Sequence, residues 1–151
     1  MIVWRVCREE YADLSGIGAS FYGGRWNSQG RPVVYTSSSL SLAFLEILPG
    51  LRKRGVPKGF ISLEIHIPED LTRHEITLNY FPKGWEEGQA DRWFIEKGDL
   101  WLADKTSAIL SVPSVIIPQE RNILLNPHHE DIQKINIISQ QPFRPDPRLV
   151  Q

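Results

Sequence analysis

The chain has 151 residues, of which 41% are hydrophobic and 23% are charged, as in an ordinary globular domain. Seventeen lysine and arginine residues against eighteen aspartate and glutamate residues give a formal charge of −1. This balance excludes a global field that would hold a polyanion. We therefore expect one compact domain spanning residues 1–151, without direct binding to nucleic acid.

The lone cysteine and the N-terminal residues indicate the cellular compartment in which the protein is expected. Cys7 is the only cysteine, so neither an intrachain disulfide nor a cysteine-based zinc site is available, and a reducing compartment is favoured. Charges at Arg5 and Arg8 precede any long apolar run, which is typical of neither a signal peptide nor a membrane span. We expect a cytoplasmic protein without a membrane partner.

The first third of the chain is predicted to contain two short strands and a helix. Residues 2–6 and 32–36 have the composition of strands, and the glycine-rich stretch between them, 16–30, is expected to form a long loop. The serines at 37–39 can cap a helix that begins near Leu40 and is expected to end at Pro49-Gly50.

The rest of the chain is predicted to add three strands and one helix. Apolar and polar residues alternate over 60–67, which indicates a strand with one solvent-facing side. Strands are also predicted at 109–117, interrupted by a proline, and at 134–138, and a helix at 89–97. Short strands mixed with a few helices, without regular βαβ alternation, predict an α+β fold.

The stretch Gly23-Gly24-Arg25-Trp26-Asn27 is a candidate ligand-binding loop. Adjacent glycines let the backbone approach a ligand closely, and an arginine beside them can hold phosphate oxygens through two parallel hydrogen bonds. A Gly-Gly turn with a solvated arginine and a core tryptophan explains the same residues, so both interpretations stay open.

Glu46 is a candidate catalytic carboxylate. It lies within Leu42-Ala43-Phe44-Leu45-Glu46-Ile47-Leu48, a predicted helix that is apolar on nearly every side. An ionised carboxylate there loses hydration unless it is paired or opens into a cavity. A structural ion pair and an exposed stripe are the alternatives to a position at the floor of a cleft.

Three further features are ambiguous. Tyr35 is near the end of the strand that leads into the helix of Glu46, although a strand tyrosine is more often a core residue. Ser114 follows Pro113 in a buried-looking strand, where bonding to nearby backbone is the alternative to a role in the site. The adjacent pair His128-His129 does not share a helix face, and we expect no metal site.

Several of these segments together resemble the RES domain, a family named for its arginine, glutamate and serine. The matching stretches are Trp4-Arg5-Val6, GGRWN at 23–27, VVYTS at 33–37, AFLE at 43–46, and VPSVIIP…NILLNPHH from 112 onwards. By that match the name-giving residues are Arg25, Glu46 and Ser114, with Tyr35 as a further pocket residue and Arg5 as a second basic contact. Residues 71–102 match only loosely and carry none of these positions.

The resemblance implies a fold and a biological setting. The family is similar to the ADP-ribosyltransferase fold of diphtheria-type toxins, in which NAD⁺ binds in a cleft between small sheets flanked by helices. It further implies the toxin of a type II toxin–antitoxin module, whose Xre-type helix-turn-helix antitoxin neutralises it and represses the operon. A homodimer is left open.

The implied chemistry is cleavage of NAD⁺ at the nicotinamide–ribose bond. In this hypothesis Glu46 stabilises the developing positive charge on the ribose. Arg25 holds the pyrophosphate, Tyr35 stacks on the nicotinamide, and Ser114 hydrogen-bonds Glu46 or the ribose. Hydrolysis is preferred to mono-ADP-ribosylation of a metabolic enzyme, and a non-catalytic module that binds a nucleotide or a partner is a further alternative. A nuclease is disfavoured, because the basic run at 52–54 is the only feature that suggests it.

Overall fold

A computed structural model describes residues 1–55 and 58–150. These residues form three α-helices and seven β-strands. The strands are β1 (Ile2–Arg8), β2 (Val34–Ser37), β3 (Phe60–His66), β4 (Arg73–Glu75), β5 (Ile109–Pro113), β6 (Arg121–Leu125) and β7 (Asn136–Pro142). The helices are α1 (Ile17–Tyr22), α2 (Leu40–Arg54) and α3 (Asp91–Asp104).

The strands form one mixed sheet in the order β4-β5-β6-β2-β1-β3-β7, which confirms the predicted α+β class. β4 and β5 pair in parallel, and the other neighbouring strands are antiparallel. β1 and β2 share a single residue pair, Trp4 with Ser37. The sheet therefore consists of two small parts, β4-β5-β6-β2 and β1-β3-β7, that separate beyond this pair.

Two apolar clusters form the core. Strand residues such as Val3, Leu63 and Ile109 are fully buried in one cluster. The other joins Phe94 and Trp101 of α3 to Trp26, with strand residues of β5 and β6. Because α3 packs on Trp26, it lies directly against the glycine-rich loop predicted to bind a ligand.

Helix α2 begins as predicted but ends later. The side chain of Ser39 accepts a hydrogen bond from the backbone N–H of Leu42 at 3.1 Å, which caps the helix. The predicted end at Pro49-Gly50 is wrong, because Pro49 lies inside a helix that continues to Arg54. A proline removes one backbone hydrogen bond, and burial of Leu51 in the next turn helps to offset that loss.

Other boundaries differ from the sequence prediction. The loop predicted at 16–30 contains α1, and β6 was not predicted as a strand. The last strand begins at Asn136, because Glu130–Lys134 forms a 3-10 helix. In β3 the polar side is not uniformly solvent-facing, since Ser62 is buried where β3 lies between β1 and β7.

Candidate active site

A cleft of about 800 Å³ opens where β1 and β2 separate. Its walls include four of the predicted site residues: Arg5, Arg25, Tyr35 and Glu46. The fifth, Ser114, is completely buried, and its hydroxyl contacts the carboxylate of Glu46. The structure thus brings together residues from β1, the glycine-rich loop, β2, α2 and the turn after β5.

Two neutral donors hold the carboxylate of Glu46. The hydroxyl of Ser114 donates to Oε1 of Glu46 at 2.6 Å, and Nδ2 of Asn122 donates to the same oxygen at 2.7 Å. No salt bridge to Glu46 occurs within residues 1–55 and 58–150. In the described part of the chain, Glu46 is therefore held by neutral hydrogen-bond donors and not by the ion pair that the sequence left open.

Ser114 is held by its own backbone environment as well. Its Oγ accepts hydrogen bonds from the N–H groups of Ile116 and Ile117, each at 3.0 Å. With both backbone N–H groups donating to it, the hydroxyl is directed to donate its own hydrogen to Glu46. The two interpretations of Ser114 from the sequence, bonding to local backbone and contact with the site, therefore hold at once.

Asn122 and Ser37 were missed in the sequence. Asn122 is near the start of β6, and Ser37, its cross-strand partner in β2, donates a hydrogen bond to Oδ1 of Asn122 at 2.7 Å. The available signal was a polar amide at the start of the apolar run Ile123-Leu124-Leu125. Such a residue needs hydrogen-bond partners wherever it is buried.

Tyr35 fastens the glycine-rich loop to β2. Its hydroxyl accepts a hydrogen bond from the N–H of Trp26 at 2.9 Å and donates one to Oδ1 of Asn27 at 2.6 Å. Burial raises the pKa of Tyr35 above its ordinary value, which keeps the hydroxyl protonated as the donor to Asn27. A Cβ on Gly24 would lie 2.8 Å from the Tyr35 hydroxyl, so only glycine fits this approach.

Arg25 lies at the rim of the cleft, against α3. Its Nη1 is 3.8 Å from Oδ1 of Asp91, and its guanidinium carbon is 5.5 Å from the ring centroid of Phe94. Two further hydrogen bonds run from the backbone N–H and the hydroxyl of Ser28 to Asp99. Within residues 71–102, which match the family only loosely, helix α3 thus contacts the loop that carries Arg25.

Arg5 crosses the gap between the separated strands. Its Nη1 donates to the backbone carbonyl of Tyr35 at 3.3 Å. Its Nε is buried without a hydrogen-bond partner, and no carboxylate forms a salt bridge with it in the described ranges. Within the described residues, the guanidinium of Arg5 therefore contacts a backbone carbonyl and no carboxylate.

His129 of the histidine pair has a local structural function. Nδ1 of His129 accepts a hydrogen bond from the N–H of Asp131 at 3.0 Å, at the start of the 3-10 helix. Across residues 1–55 and 58–150 no group of three histidine, cysteine or acidic side chains is placed to hold a metal ion. No helix in the same ranges is long and apolar enough to cross a membrane.

The fold and the site define an α+β domain with a hydrogen-bonded glutamate in an arginine-flanked cleft. The RES domain family matches residues 2–146, and the chain belongs to this family.

Named relatives extend over nearly the whole chain. A protein of Sphingobium sp. (strain YBL2) named "Prs ADP-ribosylating toxin" is 39% identical over 153 residues, covering 97% of this chain and 95% of its own length. A protein of Photorhabdus laumondii named "Toxin Res" is 38% identical, covering 99% of this chain and 97% of its own.

A solved structure has the same fold. The crystal structure of the M. tuberculosis MbcT-MbcA toxin-antitoxin complex contains a chain that matches with a TM-score of 0.77. The match covers 94% of this chain and 83% of that chain, at 14% sequence identity. At this identity the likeness concerns the fold alone.

Proposed function

We propose that this protein is the toxin of a type II toxin–antitoxin module and that it hydrolyses NAD⁺ at the nicotinamide–ribose bond. The observation that carries the proposal is Glu46, a carboxylate held by Ser114 and Asn122 at the wall of a large cleft. Relatives named as toxins over nearly the full chain support the biological setting.

The size and charge of the cleft suit an anionic dinucleotide. Its volume of about 800 Å³ falls in the range of about 300–1,000 Å³ that is usual for small-molecule sites. The lining includes four arginines, Arg5, Arg8, Arg25 and Arg54, whereas Glu46 is the only carboxylate among the described lining residues. The cleft therefore offers positive charge for phosphates and one negative group for a cationic sugar.

Arg25 and Arg5 are the proposed pyrophosphate contacts. Arg25 is partly exposed, and its salt bridge with Asp91 is long enough at 3.8 Å for a phosphate to compete for the guanidinium. Arg5 has no salt bridge to a protein carboxylate in the described ranges, and a phosphate in the cleft would pair with its guanidinium. The loop that carries Arg25 is already fixed by Tyr35, which limits the ordering needed on binding.

The reaction breaks the bond between ribose C1′ and the nicotinamide nitrogen, and the bonding electron pair leaves with the nicotinamide. The ribose develops oxocarbenium character, which the negative charge of Glu46 stabilises. A water oxygen then bonds to C1′ and loses a proton to solvent, giving ADP-ribose. Because nicotinamide leaves as a neutral molecule from a cationic glycoside, no general acid is required.

Transfer of ADP-ribose to a protein is the second candidate. It uses the same bond cleavage, with a protein side chain in place of water as the acceptor. The relative with 39% identity that is named an ADP-ribosylating toxin favours this outcome. Intact-mass measurement of cell proteins incubated with the toxin and NAD⁺ separates the two, since only transfer adds ADP-ribose to a target.

The test is nicotinamide release by the purified protein, free of any antitoxin, compared with Glu46→Gln. The amide oxygen of glutamine can still accept from Ser114 and Asn122, so we expect the fold to be retained while the charge is lost. We expect at least a 100-fold fall in kcat, typical of losing a main electrostatic stabiliser. A folded, fully active Glu46→Gln protein overturns the mechanism. NAD⁺ that stays intact with the wild-type protein, both alone and with cell proteins present as acceptors, favours a non-catalytic module.

A further inference from the structure

Asn122 makes the second of two hydrogen bonds to a single oxygen of Glu46. Its Nδ2 lies 2.7 Å from Oε1, and the Ser114 hydroxyl lies 2.6 Å from the same atom. Ser37 donates to Oδ1 of Asn122 at 2.7 Å. This second contact fixes the orientation of the amide, because a reversed amide would place two oxygens against each other at Glu46 and lose the Ser37 hydrogen bond.

The other oxygen of Glu46 has a different environment. Among the described residues no hydrogen bond engages Oε2, and Glu46 lines the cleft. The terminal torsion of a glutamate side chain has broad, weakly defined minima, so a single donor at Oε1 leaves the carboxylate plane free to turn. Donors from two separate elements, β6 and the turn after β5, restrict that rotation.

We infer that Asn122, which is held by the hydroxyl of Ser37, is a positioning residue that orients Glu46 so that Oε2 faces the substrate. The inference rests on the proposed cleavage of NAD⁺ and adds two residues to it. Asn122 lines the cleft beside Glu46, and the inferred role is exercised through Glu46 and not through a contact with the substrate. Its contribution is to fix the carboxylate before the oxocarbenium charge develops, so that little reorganisation is needed in the transition state.

The first test is the division of the effect between kcat and KM. Because the oriented carboxylate acts on charge that develops only in the transition state, Asn122→Ala is expected to lower kcat by about 10- to 100-fold with little change in KM. Ser37→Ala removes only the outer hydrogen bond and is expected to have a smaller effect in the same direction. Asn126→Ala is the matched control, a buried asparagine just after the same strand whose amide bonds Leu102 and not Glu46.

The second test uses pH. In Asn122→Asp a carboxylate replaces the amide next to Glu46, and two carboxylates at this distance cannot both be ionised without a large cost. The pair therefore takes up a proton as the pH falls, and the protonated form can donate to Oε1 as the amide does. We expect kcat of Asn122→Asp to be lowest at high pH and to recover partly on acidification, relative to wild type. Asn126→Asp should show no such recovery.

The outcomes separate this inference from the proposed function. If wild-type protein releases nicotinamide and Asn122→Ala retains kcat within about twofold, the positioning role is overturned while the function stands. If wild-type protein leaves NAD⁺ intact both alone and with cell proteins present as acceptors, the proposed cleavage fails, and the inferred role in catalysis fails with it. In that case thermal unfolding still tests the contact between residue 122 and Glu46. Asn122→Asp should gain stability relative to Asn122→Ala as the pH falls.

Discussion

The hydroxyl of Tyr35 lies 2.6 Å from Oδ1 of Asn27 and donates its hydrogen to it. Asn27 is almost completely buried and uses its amide nitrogen to donate to the carbonyls of Ala19 and Arg31, both at 2.9 Å. The pair therefore fastens both sides of the loop that carries Arg25 to strand β2. Tyr35 is thus a structural anchor of the loop in addition to lining the cleft.

Tyr35→Phe is expected to reduce the free energy of unfolding by about 1–3 kcal/mol, because it leaves Oδ1 of Asn27 and the N–H of Trp26 without a hydrogen-bond partner. NAD⁺ affinity should fall as well, since the loop of Arg25 loses its anchor. Chemical denaturation and nicotinamide release measure the two effects. Tyr80→Phe is the control, because Tyr80 is 69% exposed. Equal stability of the two variants would contradict the anchoring role.

The same residue predicts a dependence of stability on alkaline pH. Burial raises the pKa of Tyr35 in the folded protein above the ordinary tyrosine value of about 10. The stabilisation from the protonated hydroxyl is fully present below the unfolded-state pKa and is lost as the pH rises above it. Wild-type protein should therefore lose more stability between about pH 9 and 11 than Tyr35→Phe does. If the stability of the two proteins falls equally over this pH range, the predicted contribution of the Tyr35 hydroxyl is contradicted.

Gly24 lies within the loop that carries Arg25, and Gly98 of α3 packs against the same loop at Trp26. A Cβ on Gly24 would lie 2.9 Å from Oδ1 of Asn27, and one on Gly98 would overlap the backbone carbonyl of Trp26. We expect each alanine substitution to cost about 1–3 kcal/mol, as overpacking usually does, and to impair NAD⁺ cleavage. Gly50→Ala is the control for unfolding, because its Cβ would meet only the mobile end of Arg54.

Arg25→Lys is expected to weaken NAD⁺ binding and turnover without unfolding the protein. An ammonium cannot reproduce the two parallel hydrogen bonds that a guanidinium makes to phosphate. The exposed ion pair with Asp91 contributes little, so stability should change by less than about 1 kcal/mol. Arg31→Lys is the matched control for Arg25→Lys. Arg31 forms a salt bridge with Asp99 at the same distance of 3.8 Å, and it does not line the cleft. Unchanged affinity in Arg25→Lys would leave Arg5 as the principal phosphate contact.

Local signals predicted the fold where they were strong. The serine cap of α2 and the alternation in β3 are properties of neighbouring residues, and both elements begin where they were predicted. β6 was missed because Ile123-Leu124-Leu125 is a short apolar run without alternation, which does not distinguish a strand from a buried helix. Pro49 was taken as a helix end because local geometry opposes it, whereas burial of Leu51 is a tertiary effect.

The site was predicted through the family resemblance more than through chemistry. Glu46 stood out as a charge in an apolar helix, but its partners Ser114 and Asn122 come from residues about 70 positions further along the chain. Only the pairing of β2 with β6 brings Asn122 to Ser37, and this register cannot be read from either strand alone. The roles assigned to Arg25 and Tyr35 stay predictions until substrate binding is measured.

The last prediction concerns the antitoxin that the proposed module requires. A toxin that drains NAD⁺ harms its own cell unless a partner keeps it inactive. At the rim of the cleft, Arg25 already forms a salt bridge with the carboxylate of Asp91. A segment of an Xre-type antitoxin with its own carboxylate could take this place and exclude the pyrophosphate.

We therefore expect the antitoxin to compete directly with NAD⁺ for the cleft, across an interface of at least about 1,000 Å². Occlusion of this kind needs no allosteric change, because Arg25, Tyr35 and Glu46 all line the space that the segment would fill. Binding of NAD⁺ by calorimetry should be lost in the complex, and Arg25→Ala should weaken toxin–antitoxin affinity by about 1–3 kcal/mol if the charged contact is buried. Arg31→Ala serves as the control, because Arg31 is an exposed arginine outside the cleft. Simultaneous and independent binding of NAD⁺ and antitoxin would show that neutralisation acts away from the cleft.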